Sequence, residues 1–318
     1  MDLAAVVAWY EPVRAQIVES GLANEMGVYE RLLDFLAGDP RFEPCPLAEL
    51  LAPLEDGRVR ICLRHDVDSL LPPTLSAAQA LSCRGLRGSF YFLHTAIYYG
   101  QFVENTFLRN PAIGDFIDTF GHCGQEIGLH IDPLTVYFTF GVDGAQSVLT
   151  ELSWLRGQGI DVKGALAHNS APVFGAENFE IFSGLALDDR RHVTHEGVTV
   201  PLQSVGMDEA GLAYEGNFPL PPDENDRVLL GNYLGCIPQD ALRRADWLSV
   251  YLQHNPVFSR PNDVSIWLLG ADMWAIAESR PRKRFLFNVG HVELIEYLKR
   301  YAAPGRIVIV IHPEYLCR

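Results

Sequence analysis

The sequence predicts an α/β protein whose strands are parallel and whose helices lie outside them. Short apolar runs that stop abruptly at charged residues or histidines alternate with segments of helical periodicity, an order typical of parallel sheets. The run at 306–311 (Arg-Ile-Val-Ile-Val-Ile) is almost entirely β-branched, as expected for a strand buried on both faces. The chain has 318 residues, 48% of them hydrophobic, and α/β barrels often run to roughly 250 residues or more. We therefore expect a single domain over residues 1–318.

Individual elements follow from the periodicity and from the residues that interrupt it. Residues 1–58 are expected to form a helical, peripheral N-terminal extension. Residues 171–282 show weak periodicity, and only a helix at 241–252 and a strand end within 264–274 are assigned there. The other predicted strands are 59–63, 88–93, 124–130, 162–167, 285–289 and 306–311, and the helices between them are 74–81, 113–120, 142–155 and 291–301.

The stretch 61–68 (Ile-Cys-Leu-Arg-His-Asp-Val-Asp) is the strongest candidate for a functional site. An apolar run ends there in charged residues, and sites in parallel sheets lie at the C-terminal ends of strands. Asp66 and Asp68 are two positions apart, so an extended chain points both carboxylates to one side, together with Arg64. Two carboxylates beside a histidine indicate a divalent metal site. The alternative is a solvated turn after a strand.

Other strand ends strengthen the metal interpretation. The strand at 124–130 ends in His130, and the strand at 162–167 is followed by His168. A carboxylate with two histidines is a common catalytic metal set. His94 also follows a strand, where hydrogen-bonded scaffolding is the more common role of a histidine. His312, after the last strand, makes a general acid or base available without a metal role.

Charge and composition exclude several classes of function. A net charge of -15 disfavours nucleic acid and anionic membrane surfaces as partners. Six cysteines without a CxxC pair suit reduced thiols better than a disulfide framework. An acid at position 2 argues against a signal peptide, and no apolar run is long enough to span a bilayer. These features predict a cytoplasmic protein.

Four segments resemble the ordered motifs of a known family: 64–68 (Arg-His-Asp-Val-Asp), 88–93 (Gly-Ser-Phe-Tyr-Phe-Leu), 124–130 (Gly-Gln-Glu-Ile-Gly-Leu-His) and 309–312 (Ile-Val-Ile-His). They are similar to the polysaccharide deacetylase superfamily (NodB homology, carbohydrate esterase family 4). The resemblance implies a distorted, incomplete (β/α)7-type barrel. It also implies metal-dependent hydrolysis of N-acetyl or related acyl groups from amino sugars, in bacterial surface-polysaccharide or glycoconjugate biosynthesis.

The resemblance also implies roles for individual residues. Asp66 takes the position of the catalytic base, Asp68 that of the acidic metal ligand, and His130 that of the first histidine ligand. His312 takes the position of the general acid, and Asp272 that of the acid's supporting carboxylate. One divalent ion, with zinc as the expected metal, would be the cofactor.

The sequence departs from the family pattern at two positions. Val67 splits the usual adjacent acid pair, and Leu134 stands where the second metal histidine is usual. We expect His168 to replace that histidine and Arg64 to meet the substrate. The substrate is expected to be an intracellular acylamino-sugar precursor or a short glycan before export. Two rivals remain open: an inactive sugar-binding homologue, and a metal hydrolase of a non-sugar amide.

Overall fold

The structure is a computed structural model. It describes residues 3–19, 23–50, 52, 58–168, 170–185, 189–217, 228–233, 264–267, 275–279, 283–289, 291–300 and 305–317. Within this part the chain forms an α/β fold around a curled, half-barrel sheet of parallel strands, which confirms the predicted fold class. The predicted helix at 241–252 and Asp272 lie outside the described residues.

The elements follow one another in the alternating order that the sequence predicts, with additions. In chain order they are α1 (Leu3–Glu19), α2 (Met26–Gly38), β1 (Phe42–Pro44), α3 (Leu47–Leu50), β2 (Val59–Val67), α4 (Leu71–Ser82), β3 (Ser89–Leu93), β4 (Gly100–Val103), β5 (Thr106–Arg109), α5 (Ile113–His122), β6 (Glu126–Ile131), α6 (Pro133–Phe140), α7 (Gly144–Gly157), β7 (Gly164–Ala167), α8 (Ala171–Phe174), β8 (His192–His195), β9 (Val198–Pro201), β10 (Tyr214–Glu215), β11 (Val228–Tyr233), β12 (Val264–Trp267), β13 (Ala275–Ser279), β14 (Lys283–Val289), α9 (His291–Arg300) and β15 (Gly305–Ile311).

The main sheet has the order β10-β7-β6-β3-β2-β15-β11-β14-β13-β12, and β1 adds to β2 beside this path. Every neighbouring pair from β10 to β14 is parallel. β13 and β12 run antiparallel at the far edge. The strand predicted within 264–274 therefore exists as β12, but it is an antiparallel edge strand.

The N-terminal segment contains the predicted helices, but it also adds a strand and buried side chains to the core, so its expected peripheral placement was wrong. β1 pairs in parallel with the start of β2. α2 buries four side chains completely or almost completely, namely Tyr29, Leu32, Leu33 and Leu36. Its apolar stripe covers one face of the sheet, and such burial is the main source of helix stability.

The strand register brings the C-terminal ends of the central strands to one edge. His65 of β2 lies opposite Ile311 of β15, and Leu93 of β3 lies opposite His130 of β6. Ile131, the last residue of β6, lies opposite Ala167 of β7. The residues that follow these strand ends therefore gather at one opening, which we call the mouth of the half-barrel.

The inner face of the sheet is filled by aromatic side chains at the end opposite the mouth. The hydroxyls of Tyr91 and Tyr214 lie 2.6 Å apart, and Tyr214 donates to a carboxylate oxygen of Glu126 at 2.7 Å. Glycine is required beneath each ring, because a Cβ at Gly128 would lie 2.5 Å from the Tyr91 ring and one at Gly164 2.1 Å from the Tyr214 ring. This part of the interior is thus filled by packed, hydrogen-bonded side chains, so a reaction site would lie at the mouth.

Among the elements that were not predicted from the sequence are helix α6 and the hairpins β4–β5 and β8–β9. α6 (Pro-Leu-Thr-Val-Tyr-Phe-Thr-Phe) is short and apolar on most sides, so it has little periodicity. The β4–β5 hairpin turns at Glu104 and Asn105, both with positive φ, without the glycine that usually marks such turns. None of the helices in the described ranges has the length and apolarity needed to cross a bilayer.

Candidate active site at the mouth

Asp66 lies on the inner face of β2, near its end, in a buried ion pair with Arg64. Nε of Arg64 donates to Oδ1 at 3.0 Å and Nη2 donates to Oδ2 at 2.9 Å, a bidentate pair between residues two apart on one strand face. Nη1 of Arg64 donates to the carbonyl oxygen of Gly216 and to Oδ1 of Asn217. The pair fixes the carboxylate, and each of its oxygens keeps a second lone pair. Contact of Arg64 with substrate stays a prediction.

Asp68 follows β2 in a bend, and two imidazoles face its carboxylate. Oδ1 lies 3.2 Å from Nε2 of His130, and Oδ2 lies 3.6 Å from Nε2 of His312. Burial by itself raises the pKa of Asp68, but His130, His168 and His312 together outweigh it and hold that pKa well below its usual range. We refer to Asp68, His130, His168 and His312 as the mouth cluster.

His130 is oriented by the backbone of the neighbouring strand. Its Nδ1–H donates to the carbonyl oxygen of Leu166 in β7 at 2.8 Å, which leaves Nε2 to face Asp68. Burial lowers the pKa of His130, but the Asp68 carboxylate 3.2 Å away outweighs it, so the pKa is raised overall. A ring held at one nitrogen by a main-chain acceptor, with the other nitrogen facing a carboxylate, is typical of a metal-ligating histidine.

His168 stands beside His130 at the rim of the mouth. Their rings meet edge to face, with centroids 5.3 Å apart. The His168 side chain is 37% exposed, and its Nδ1 lies 3.8 Å from Oδ2 of Asp132. The structure therefore brings the proposed replacement histidine next to the first predicted histidine ligand.

His312 enters the cluster from β15, on the other side of β2. Its side chain is largely buried, and its ring lies 6.0 Å from the ring of Tyr315. Nδ1 of His312 is buried and has no hydrogen-bond partner within the described part of the chain. Asp272, expected to support this histidine, lies outside that part.

The donor set of the mouth cluster fits a divalent ion. Carboxylate oxygen and imidazole nitrogen are the usual ligands of a catalytic zinc, and Oδ1 of Asp68 is buried without a well-directed hydrogen bond from any described residue. Where the structure describes the chain, no group of three or more His, Cys, Asp and Glu side chains already stands at metal-ligand spacing. The mouth cluster therefore fits a divalent ion in the type of its donor atoms and in the direction they point, and not in their present spacing.

Leu134, where the resemblance would place a second metal histidine, lies in the core. Leu134 is completely buried in an apolar cluster with Ala176, Val193, Val200 and Leu202. Its backbone N–H donates to Oδ1 of Asn178 at 2.9 Å. A side chain at 134 is thus part of the packing between α6 and the β8–β9 hairpin.

Sequence reasoning missed several buried polar residues around the cluster. Asp132 is 4% exposed and Asn178 is fully buried, and the Asn178 amide donates to Oδ1 of Asp132 at 2.9 Å. Glu314 is also buried, and burial together with the nearby Asp68 raises its pKa well above the usual value. The signal that could have pointed to Asp132 and Glu314 is their place two residues after His130 and His312.

A surface cleft of about 500 Å³ between α5 and α7 is separate from this site. It is lined by residues of those helices and by Arg109, and contains no member of the mouth cluster. The guanidinium of Arg109 covers the Trp154 ring at 4.1 Å, so that aromatic face is not open to a ligand.

The chain matches no protein-family model, no curated protein and no solved structure. Its function is therefore inferred from the geometry of the mouth.

Proposed function

We propose that the chain is a metal-dependent hydrolase that removes an N-acyl group, such as acetyl, from an amino sugar. The observation that carries this proposal is the Asp68 carboxylate between the Nε2 atoms of His130 and His312, beside the fixed carboxylate of Asp66. A ligand set, a base and an acid at one barrel mouth form the constellation that amide hydrolysis needs.

Asp68, His130 and His168 would hold the ion. When bound there, a divalent ion supplies Lewis-acid polarisation of the acyl carbonyl and a lowered pKa for water. The Leu166 carbonyl keeps His130 in the tautomer whose Nε2 has the free lone pair. His130 can therefore bind a cation through Nε2 when no proton lies between this nitrogen and Asp68.

Proton transfer is assigned to the two remaining residues. Asp66 accepts the proton of the attacking water, and the bidentate contact with Arg64 keeps its carboxylate in one orientation. His312 gives a proton to the leaving amine. Because its Nδ1 has no hydrogen-bond partner among the described residues, no neighbour there fixes the ring in one tautomer. An amine leaves poorly without protonation, so this step matters more for amides than for esters.

The substrate we favour is a precursor, either a nucleotide-linked or lipid-linked acylamino sugar or a short glycan, encountered in the cytoplasm. The described cysteines support a reducing compartment because all are free thiols, including the buried Cys45 and Cys62. The net charge of -15 repels phosphorylated compounds at long range. We therefore place any diphosphate of the substrate outside the mouth, with the acylated sugar inside.

The deciding experiment measures release of acetate and formate by the purified full-length chain. The substrates are a panel of nucleotide-linked and lipid-linked acylamino sugars, short glycans and chitin oligomers, each with zinc added and with a chelator. Asp66→Asn, prepared in the same way, serves as the control for contaminating hydrolases. We expect metal-dependent release from precursors. Release from chitin oligomers alone contradicts the precursor assignment, and the absence of release from every sugar contradicts the proposed function.

Adding simple acylamines to the panel and measuring binding by calorimetry separates the two rival functions. A sugar-binding protein without activity would bind a panel member, detected by calorimetry, and release no acid. A hydrolase of a non-sugar amide would bind zinc and act on simple acylamines, but not on the sugar panel.

A further inference from the structure

We propose that Asp132 is a positioning residue that fixes the imidazole of His168 in the tautomer required of a metal ligand. This inference rests on the proposed function for its metal-binding consequence, while the tautomer itself can be tested without metal. It deepens that function by naming what replaces the histidine absent at position 134.

Asp132 is fixed on three sides by neighbouring groups. Its backbone N–H donates to Nε2 of His94 at 2.8 Å. The hydroxyl of Thr95 donates to Oδ2 at 2.9 Å, and the amide of Asn178 donates to Oδ1 at 2.9 Å. At 4% exposure, the carboxylate has little freedom to turn elsewhere.

The backbone of His168 is held by the same network. Its N–H donates to the carbonyl oxygen of Ile131 at 2.9 Å, and its own carbonyl oxygen accepts from the Asn178 amide at 2.7 Å. Asn178 therefore holds both the Asp132 carboxylate and the main chain of His168. Oδ2 of Asp132 lies 3.8 Å from Nδ1 of His168, which is longer than a hydrogen bond, so the proposal requires a rotation of the partly exposed His168 ring toward Oδ2.

The consequence is a defined tautomer. A neutral imidazole that points Nδ1 at a carboxylate carries its hydrogen there, so Nε2 keeps the lone pair that binds a cation. His130 obtains the same result from the Leu166 carbonyl. In this proposal the two histidines have corresponding supports at Nδ1: the Leu166 carbonyl for His130, and the Asp132 carboxylate for His168 after the ring has turned toward it.

The first test reads the tautomer of His168 by long-range ¹⁵N–¹H NMR in the metal-free full-length chain, at a pH where the imidazole is neutral. In Asp132→Asn, the carbonyl oxygen stays opposite the Asn178 donor and the new amide group takes the place of Oδ2. The acceptor facing His168 is then lost. We expect the wild type to carry its hydrogen mainly on Nδ1 and the variant to shift toward Nε2. An unchanged tautomer overturns the proposal.

Two further variants support this test: one is a control for general structural effects, and the other replaces Asp132→Asn if that variant does not fold. Glu151 of α7 is also a buried carboxylate, but it pairs with Arg109 of β5. Glu151→Gln should therefore leave the tautomer of His168 unchanged. A shift as large as that of Asp132→Asn would indicate a general structural effect and overturn the proposal. If Asp132→Asn does not fold, Asp132→Ala removes the same carboxylate acceptor, and a shift of the same sign is expected. No shift there overturns the proposal as well.

The second test is a double-mutant cycle on zinc affinity, measured by competition with a chromophoric chelator. Loss of an outer-shell partner typically lowers metal affinity about 10–100-fold, and we expect this for Asp132→Asn. Because Asp132 acts through His168, adding Asp132→Asn to His168→Ala should cause no further loss. Additive losses overturn the proposal. If the wild type binds no divalent ion, the proposed function fails, and the NMR test still decides the role of Asp132.

Discussion

The two faces of β2 place buried polar residues in opposite roles. On the outer face, His65 is fully buried, stacked on Phe90 with ring centroids 4.0 Å apart. Both ring nitrogens have partners, since Nε2 lies 2.8 Å from the Tyr29 hydroxyl and Nδ1 lies 3.0 Å from the Ser89 carbonyl oxygen. On the inner face, the next residue, Asp66, is almost as buried and points toward the mouth.

The difference between the faces shows that burial alone does not mark a site. Burial lowers the pKa of His65 to about 4, because the hydrogen bond to the Ser89 carbonyl and the charge of Asp66 offset only part of the lost hydration. At the mouth, the pKa of His130 is raised although the ring is equally buried, because Asp68 faces it. A buried polar residue belongs to the scaffold when all its hydrogen bonds are made within the protein. It belongs to a site when it faces other ionisable side chains at an opening of the fold.

The largest expected contrast between the faces is in turnover. Asp66→Asn removes the proposed base, and we expect kcat to fall about 10²–10⁴-fold. Metal content, measured by mass spectrometry of the purified protein, should stay at the wild-type level. His65→Asn, one residue away on the outer face, is the matched control and should keep most of the turnover. Loss of metal from Asp66→Asn would show instead that Asp66 is a ligand.

The next contrast separates acid catalysis from metal binding within the mouth cluster. His312→Ala should lower amide hydrolysis about 10²–10⁴-fold. Hydrolysis of an activated ester should fall much less, because its leaving group needs no proton. The measurement is the ratio of kcat/KM for the two substrates in variant and wild type. An equal loss on both substrates contradicts the role of His312 as leaving-group acid.

A third contrast concerns the histidine set itself. His168→Ala removes one of three proposed ligands, so zinc affinity should fall by at least about 100-fold, more than for most outer-shell changes. Adding Leu134→His should not restore zinc, because that side chain lies within the apolar cluster under α6. It should lower the free energy of unfolding by about 1–3 kcal/mol, the cost of a buried polar group without a partner. Restored zinc affinity in the double variant would contradict the assignment of His168.

The smallest expected effect is the pH dependence of stability from the outer face. The folded pKa of His65 is about 4, and the usual pKa of histidine is 6.5. Between these values the unfolded chain binds the extra proton, so the free energy of unfolding falls as pH falls, by about 1.4 kcal/mol per pH unit. Urea denaturation from pH 4.5 to 7 should show a flatter curve for His65→Asn than for the wild type. His192→Asn, at an exposed position on β8, should leave the curve unchanged; an unaltered slope in His65→Asn contradicts the buried neutral state.

Much of the fold was predictable because its signals are local. β2, β3, β6, β7 and β15 each combine an apolar run with an abrupt polar end, and all lie where the sequence predicts them. α6 and the β4–β5 hairpin were missed because their stabilising contacts come from other elements. Phe102 of the hairpin, for example, stacks on Phe140 at the end of α6, 4.5 Å away between centroids. Such a contact leaves no periodic trace in either segment.

The candidate site was predictable only in part, for a related reason. Asp68, His130, His168 and His312 stand at or just after the ends of four strands, so a parallel sheet was enough to predict that they would meet. The surrounding groups Asp132 and Asn178 are 46 positions apart, and each is of a residue type common on protein surfaces. The only local signal for Asp132 is its place two residues after His130, and no local pattern distinguishes Asn178 from a solvated loop residue, so their pairing could be recognised only in the structure.

The sequence by itself determined the alternation of strands and helices and the strand ends at which charged residues stand, because both depend on neighbours within a few positions. Only the tertiary structure decided what each histidine does. The hydroxyl of Tyr29, 36 residues before His65, makes that histidine part of the scaffold, and the carbonyl of Leu166, 36 residues after His130, turns that ring toward Asp68. The physical reason is that the state of an imidazole depends on the partner of each nitrogen, and folding supplies those partners from distant segments.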